Sequence, residues 1–208
     1  MTETWEKLGA DEAIEVLATV NPFIDPVPFN SSTTTIRRQY LGFYDDYVFY
    51  ELTDLSAIPS ARKYALARIK AKEKPDVRVV TWTNQPIYEA NERAPIRIDD
   101  RNVLDYVKFF FNYVRGRHGR FVIVETVDDI RWQIEPPLQG RKVMQEMLFP
   151  VSVASKDEEG AWILDACMIF KDSLFRTKIH VRPDGLVALS DEELKVEGMP
   201  VIPDAIVA

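Results

Sequence analysis

The chain has 208 residues, with 26 lysines and arginines against 33 aspartates and glutamates, a formal net charge of −7 and a pI near 5.0. An acidic average repels nucleic acid and disfavours that class of partner. A single cysteine excludes an internal disulfide, two histidines give no zinc-ligand spacing, and no apolar run is long enough to cross a membrane. We therefore expect a cytoplasmic protein with no metal, no cofactor and no membrane anchor.

Near the N-terminus, apolar residues at helical spacing predict a first helix that Asp11 caps and that covers a sheet. The stripe consists of Ala13, Val16, Leu17 and Val20. The connection that follows, residues 21–35, carries three prolines and is predicted to be an ordered, irregular segment laid over apolar surface.

The next part of the chain predicts strands at 36–43, 47–53 and 77–83, because β-branched and aromatic residues are concentrated there. Residues 60–74 fit either a helix or an edge strand, and the pattern leaves both open. Residues 87–98 are predicted to be extended or irregular, following a break at Asn84-Gln85-Pro86.

The stretch from Asn102 to Glu125 predicts the centre of the fold. Val103, Tyr106, Val107, Phe110 and Val114 recur at helical spacing, so residues 102–114 are expected to form a deeply buried helix. A glycine-marked turn then leads to Phe121-Val122-Ile123-Val124, which is typical of a buried strand.

The last third predicts a short helix at 143–148 and an antiparallel meander of four strands at 151–154, 161–170, 174–181 and 186–189. Ser190 to Glu193 has capping-box spacing, which predicts one helical turn. The tail 198–208 is expected to be an extended arm on the surface. Together these patterns predict a single α+β domain over 1–208, with a mainly antiparallel curved sheet packed on the helix at about 102–114.

The loop that follows the central helix carries the residue types suited to an anion. It supplies guanidinium groups, a titratable ring and backbone amides freed by glycine. With Glu125 at the end of the next strand, the predicted ligand-binding residues are Arg115, Arg117, His118, Arg120 and Glu125. Basic residues also suit any helix C-terminus, so a structural role for the same loop stays open.

A second candidate is a run of basic residues that contains one acid, Glu73. It could bind an acidic partner, or it could be a solvated surface balanced by acids elsewhere in the fold. The residues are Arg62, Lys63, Arg68, Lys70, Lys72 and Lys74.

Catalytic motifs are weakly represented. The chain has no G-x-S-x-G or phosphate-loop pattern, and Cys167 lies in an apolar strand where a buried, inert thiol is expected. Whether the protein is an enzyme stays open at this point.

The series Pro86 to Asn91, Tyr106, Phe109-Phe110, Val114 to Gly116, Gly119 and Phe121 to Glu125 resembles a group of uncharacterised bacterial proteins. The resemblance covers the middle third of the chain, and it implies no activity and no catalytic residue.

Two functions are compatible with these patterns. The first is a non-catalytic binding or protein-interaction module, in which the basic run meets an acidic partner. The second is a binding protein or enzyme for a small anionic ligand, with its pocket between the sheet and the central helix. Neither hypothesis specifies the ligand, the partner or the oligomeric state.

Overall fold

The computed structural model describes residues 4–69, 74–116 and 118–202. Helices and antiparallel sheets follow one another along the chain, so the predicted α+β class is confirmed. The strands are divided between two five-stranded sheets rather than collected in one. The chain also divides into two compact units, up to Arg97 and from Ile98 onward. The prediction of a single domain over 1–208 stays a prediction.

The first unit contains a sheet in which consecutive strands are neighbours and every pair is antiparallel. Its strands are β1 (Glu6–Lys7), β2 (Thr34–Tyr40), β3 (Val48–Asp54), β4 (Ala61–Arg68) and β5 (Asp76–Val79), and its helices are α1 (Ala10–Val20) and α2 (Gln85–Arg93). The predicted first helix and the strands at 36–43 and 47–53 are thus confirmed within a few residues.

The core of the first unit forms where α1 covers one face of this sheet. All four residues of the predicted stripe are buried. Opposite them lie Ile36 and Leu52, which are paired across β2 and β3 and therefore point to the same side. The connection after α1 adds Ile24 and Phe29 to this core, which confirms an ordered segment laid over apolar surface.

The structure decides two further predictions for the first unit, one that the sequence left open and one that is wrong. Residues 61–68 form a strand, and it is an internal strand between β3 and β5 rather than an edge. The extended segment predicted at 87–98 is wrong over most of its length, because α2 spans Gln85–Arg93. Pro86 lies in the first turn of α2, where a missing amide hydrogen costs nothing, so the proline that suggested a break begins a helix.

The second unit contains α3 (Val103–Tyr113), α4 (Leu138–Met147) and a sheet with the order β10-β9-β8-β6, in which β7 also pairs with β8. The strands are β6 (Phe121–Ile123), β7 (Ser152–Lys156), β8 (Trp162–Phe170), β9 (Ser173–Val181) and β10 (Val187–Val196). The predicted central helix, the strand after it and the antiparallel meander are confirmed.

Helix α3 is fixed to its own unit by specific contacts as well as by burial. The hydroxyl of Tyr106, which is fully buried, donates a hydrogen bond to the carbonyl of Gly185 at 2.5 Å. Gly185 lies in the turn between β9 and β10. No helix among the described residues is long and apolar enough to cross a membrane.

The end of the chain departs from prediction in two places. Ser190 to Glu193 forms no helical turn but continues β10 through an irregularity, where Asp191 has a φ of 51°. Met199 and Val201 are buried in the core of the second unit, so the start of the tail is packed rather than laid on the surface. Residues 203–208 of the predicted arm lie outside the described residues.

Candidate functional site

The second unit contains a cavity of about 610 Å³, within the usual range for sites that hold a small molecule. Segments that are far apart in the chain contribute to it: the loop before β6, β6 itself, the segment around Ile130, the β8–β9 turn and the segment at 201–202. Its wall is apolar and consists of Val122, Val124, Ile130, Ile169, Val201 and Ile202.

One side of the wall follows from strand pairing. Val122 of β6 lies directly opposite Ile169 of β8, and cross-strand partners point to the same side of a sheet. Val124 lies two residues further along and therefore shares that side with Val122. Because side chains alternate between the two faces of a sheet, Val122, Val124 and Ile169 share the face that lines the cavity.

The other side is built by two irregular segments that hydrogen-bond to each other. The amide of Ile202 donates to the carbonyl of Arg131 at 2.8 Å, and the amide of Gln133 donates to the carbonyl of Pro200 at 2.8 Å. Trp132 and Val201 form an isolated bridge between the segments. These bonds hold Val201 and Ile202 against the cavity without a regular strand.

Basic side chains stand at the cavity along with the apolar wall. His118 precedes β6, Arg131 follows Ile130, and Lys171 lies in the β8–β9 turn; all three are exposed and line the cavity. None of these side chains makes an ion pair or a hydrogen bond with another described residue. They are therefore available to a bound anion.

Arg120 also lines the cavity, but its guanidinium is already used. Its Nε donates to the carbonyl of Phe111 at 2.9 Å, and its Nη2 donates to Oδ1 of Asn112 at 2.8 Å. Both acceptors belong to the last turn of α3, where carbonyl groups have no partner inside the helix. The structural alternative considered for the basic loop thus describes Arg120.

The two acidic side chains at the cavity also accept hydrogen bonds within the protein. Oδ2 of Asp129 accepts hydrogen bonds from the amides of Glu125 at 2.9 Å and Thr126 at 2.7 Å, and from the hydroxyl of Thr126 at 3.1 Å. Partial burial acts to raise the pKa of Asp129, but these hydrogen bonds outweigh it and lower the pKa below its ordinary value. Asp172 accepts a hydrogen bond from the hydroxyl of Ser173 at 3.1 Å.

A smaller cavity of about 140 Å³ lies between α3 and β6, where the ligand pocket was predicted. Its lining includes Glu125, whose carboxylate forms an ion pair with Nζ of Lys108 at 2.8 Å and accepts a hydrogen bond from the amide of Val151 at 3.1 Å. The site between helix and sheet is therefore small and its carboxylate is already paired.

The predicted ligand-binding residues are thus only partly assembled. His118 and Arg120 line the larger cavity, Glu125 lines the smaller one, and Arg115 is half-buried and lines neither. Arg117 lies outside the described residues. Sequence reasoning missed Arg131 and Lys171, and the only local signal was the position of Lys171 between two predicted strands.

The predicted basic patch is not assembled by the described residues. Arg62 and Lys63 are neighbours in β4, so they point to opposite faces of the sheet. Arg68 lies at the other end of the strand, where Nη1 approaches Asp46 at 3.9 Å. Lys74 is exposed beyond the strand, and Lys70 and Lys72 lie outside the described residues. An acidic partner for this run stays a prediction.

The remaining candidates have structural partners. Cys167 is 1 % exposed, its thiol points to the carbonyl of Met147 at 3.6 Å, and burial raises the pKa of the thiol. His180 shares a 2.7 Å hydrogen bond with Ser190 across β9 and β10. Among the described residues, no group of three or more histidines, cysteines or acids could hold a metal ion.

Comparison with known proteins adds no assignment: no family model, curated protein or solved structure matches the chain.

Proposed function

We propose that the second unit binds a small molecule that combines an apolar body with an anionic group, in the cavity beside β6 and β8. This is the second of the two functions predicted from the sequence, moved from the helix–sheet interface to the other side of β6. The observation that carries it is an apolar-walled cavity of about 610 Å³ bordered by three uncommitted basic side chains.

The wall supports the apolar part of the ligand. Each Å² of apolar surface removed from water contributes roughly 25 cal/mol, so a hydrocarbon chain that covers the six aliphatic residues would be driven into the cavity. Among the described residues that line the cavity there is no phenylalanine, tyrosine or tryptophan, so a flexible aliphatic body fits it better than a stacked ring.

The charges support the anionic part. His118, Arg131 and Lys171 have no acidic partner among the described residues, while Asp129 and Asp172 already accept hydrogen bonds within the protein. A carboxylate, sulfate or phosphate group at the rim would gain charge-assisted hydrogen bonds that the free protein does not make. The proposal concerns binding alone.

Thermal denaturation with decanoate below its micelle concentration tests the proposal, with 1-decanol and acetate as comparisons. A ligand that binds only the folded state stabilises it by about 2.7 kcal/mol at a hundredfold excess over Kd. We expect decanoate to raise Tm more than 1-decanol does, because the wall binds its chain and the basic side chains at the rim bind its carboxylate. Acetate should have no effect.

Two variants locate the effect. Ile202 lines the cavity and is 41 % exposed, so Ile202→Glu should fold and place a negative charge where the apolar body would lie. Decanoate should no longer stabilise it. Lys142→Gln removes an exposed lysine of α4 that does not line the cavity and should behave like the unmodified protein. Failure of decanoate to shift Tm, or an equal shift in Ile202→Glu, would overturn the proposal.

A further inference from the structure

Lys171 has a backbone conformation that lysine seldom adopts. Phe170 and Ser173 are paired at the ends of β8 and β9, so Lys171 and Asp172 alone form the loop of the hairpin. Loops of two residues require positive φ and favour glycine, asparagine or aspartate. Lys171 has a φ of 57°, in the left-handed region where a side chain with a Cβ is strained.

Lys171 differs from the other non-glycine residues that have a positive φ. Among the described residues, the non-glycine residues with positive φ are Trp82, Lys171 and Asp191. Trp82 belongs to the first unit, and Asp191 is of a residue type that tolerates this conformation. Lys171 combines an unfavourable residue type with a position at the cavity.

Contacts within the protein account for the turn but not for the lysine. The backbone carbonyl of Asp172 accepts a hydrogen bond from Met199 at 2.8 Å, so the turn helps to hold the segment that forms the cavity wall. That contact uses the backbone and would be made with any residue at position 171. The ammonium group of Lys171 lies 5.4 Å from the ring centroid of Phe170, a weak contact at an exposed site.

We propose that Lys171 contacts the anionic group of the ligand and sets the preference for anionic over neutral ligands. Its strained backbone is retained because the turn aims this side chain at the rim of the cavity. Backbone strain concentrates at ligand-binding positions, where the surrounding structure over-determines it. The inference rests on the proposed function, which supplies the ligand.

Three substitutions at position 171 separate charge from strain. Lys171→Met keeps the strain and most of the stem but removes the charge. Lys171→Asn removes the charge and introduces a residue that adopts the left-handed region readily. Lys171→Arg keeps both charge and strain. Decanoate and 1-decanol serve as probes, with binding measured by titration calorimetry and Tm measured without ligand.

We expect Lys171→Met and Lys171→Asn to bind decanoate about fivefold more weakly, the effect of one partly exposed ion pair, and to bind 1-decanol as the unmodified protein does. Lys171→Arg should retain decanoate binding. Without ligand, Lys171→Asn should melt about 2–4 °C above Lys171→Met, because it relieves the backbone strain. Asp191→Asn serves as a control at a positive φ away from the cavity, and should leave binding unchanged.

The outcomes distinguish this inference from the proposed function. If the unmodified protein does not bind decanoate, the proposed function fails. If it binds and Lys171→Met binds equally well, the function stands and the role of Lys171 is overturned. Equal Tm values for Lys171→Asn and Lys171→Met would show that no backbone strain is stored at position 171. The argument that Lys171 is retained for ligand binding despite strain would then be overturned.

Discussion

Two arginines at the same cavity illustrate why residue type alone does not identify a ligand-binding group. Arg120 was predicted as an anion-binding residue, but its guanidinium donates to the last turn of α3. Arg131 was not predicted, yet its side chain is exposed and has no partner among the described residues. The two arginines differ in their distance from the carbonyl groups at the end of α3. That distance depends on how the loop before β6 folds back against the helix. The sequence contains no local signal for that return.

Asp129 allows a prediction about pH because its folded-state pKa is lowered. A carboxyl with a depressed pKa stabilises the fold above its unfolded pKa, near 3.9, and this stabilisation is lost as pH falls through the folded-state pKa. Asp129→Asn keeps the shape but not the charge of the acceptor. We expect it to lower the free energy of unfolding by roughly 1 kcal/mol at pH 7, the size of a lost capping interaction.

Urea denaturation between pH 7 and pH 2.5 measures this effect. The stability difference between the two proteins should be full at pH 7, begin to shrink below about pH 4, where Asp129 of the unfolded chain becomes protonated, and reach its minimum below the lowered pKa of Asp129 in the folded protein. Asp128→Asn is the matched control, because the neighbouring carboxylate is exposed, takes no part in the capping box and forms only a surface ion pair with Arg141, which contributes little to stability. A difference that stays constant with pH would contradict the role assigned to the charge.

At the scale of elements, predictions succeeded where periodicity is local. The stripes of α1 and α3, the apolar run of β8 and the alternation in β9 are complete within about ten residues, and each predicted element is present. Where one residue type supports two structures, the pattern failed or left the choice open: Pro86 suggested a break but begins a helix, and the alanines of β4 fit both helix and strand. Such cases are decided by packing, which lies outside the local pattern.

Gly119 joins two elements and permits a direct test of their packing. It has a φ of 140°, and a Cβ built there would lie 3.2 Å from Cε2 of Phe170. The Phe170 ring stacks on Phe121 at a centroid distance of 4.5 Å, so a shift of the ring away from the new methyl group would disturb that contact. We expect Gly119→Ala to destabilise the protein by about 1–3 kcal/mol, since strain and contact add.

A second glycine separates those two causes. Gly160 has a φ of 81°, but a Cβ added there meets no atom within 4 Å. Gly160→Ala should therefore show the backbone strain alone and a smaller loss, measured as the urea midpoint at constant m. If both variants lose the same stability, the contact with Phe170 contributes nothing.

At the scale of the molecule, the cavity could not be predicted because no continuous stretch encodes it. Val122, Ile169 and Ile202 reach one wall from positions far apart in the chain, through pairing of β6 with β8 and through hydrogen bonds between two irregular segments. The apolar character of each residue predicts burial, not a shared cavity. The predicted surface arm illustrates the gap, since Val201 lies in the core.

The division into two units leads to a prediction about where a ligand acts. Every described residue that lines the larger cavity belongs to the second unit. Stability differs between regions of a protein, and a ligand protects the parts whose opening abolishes its site. We therefore expect decanoate to slow amide hydrogen exchange in β6, β8, β9 and residues 199–202, whose backbone amides hold the wall in place.

Peptides from the first unit provide the internal control for hydrogen–deuterium exchange by mass spectrometry. Amides of β2, β3 and β4 should exchange at the same rate with and without decanoate, because none of their residues lines the cavity. In the Ile202→Glu variant, decanoate should protect neither the second unit nor the first. Equal protection of both units would mean that they open together, and ligand binding would then stabilise the chain as one cooperative body rather than the unit that contains the site.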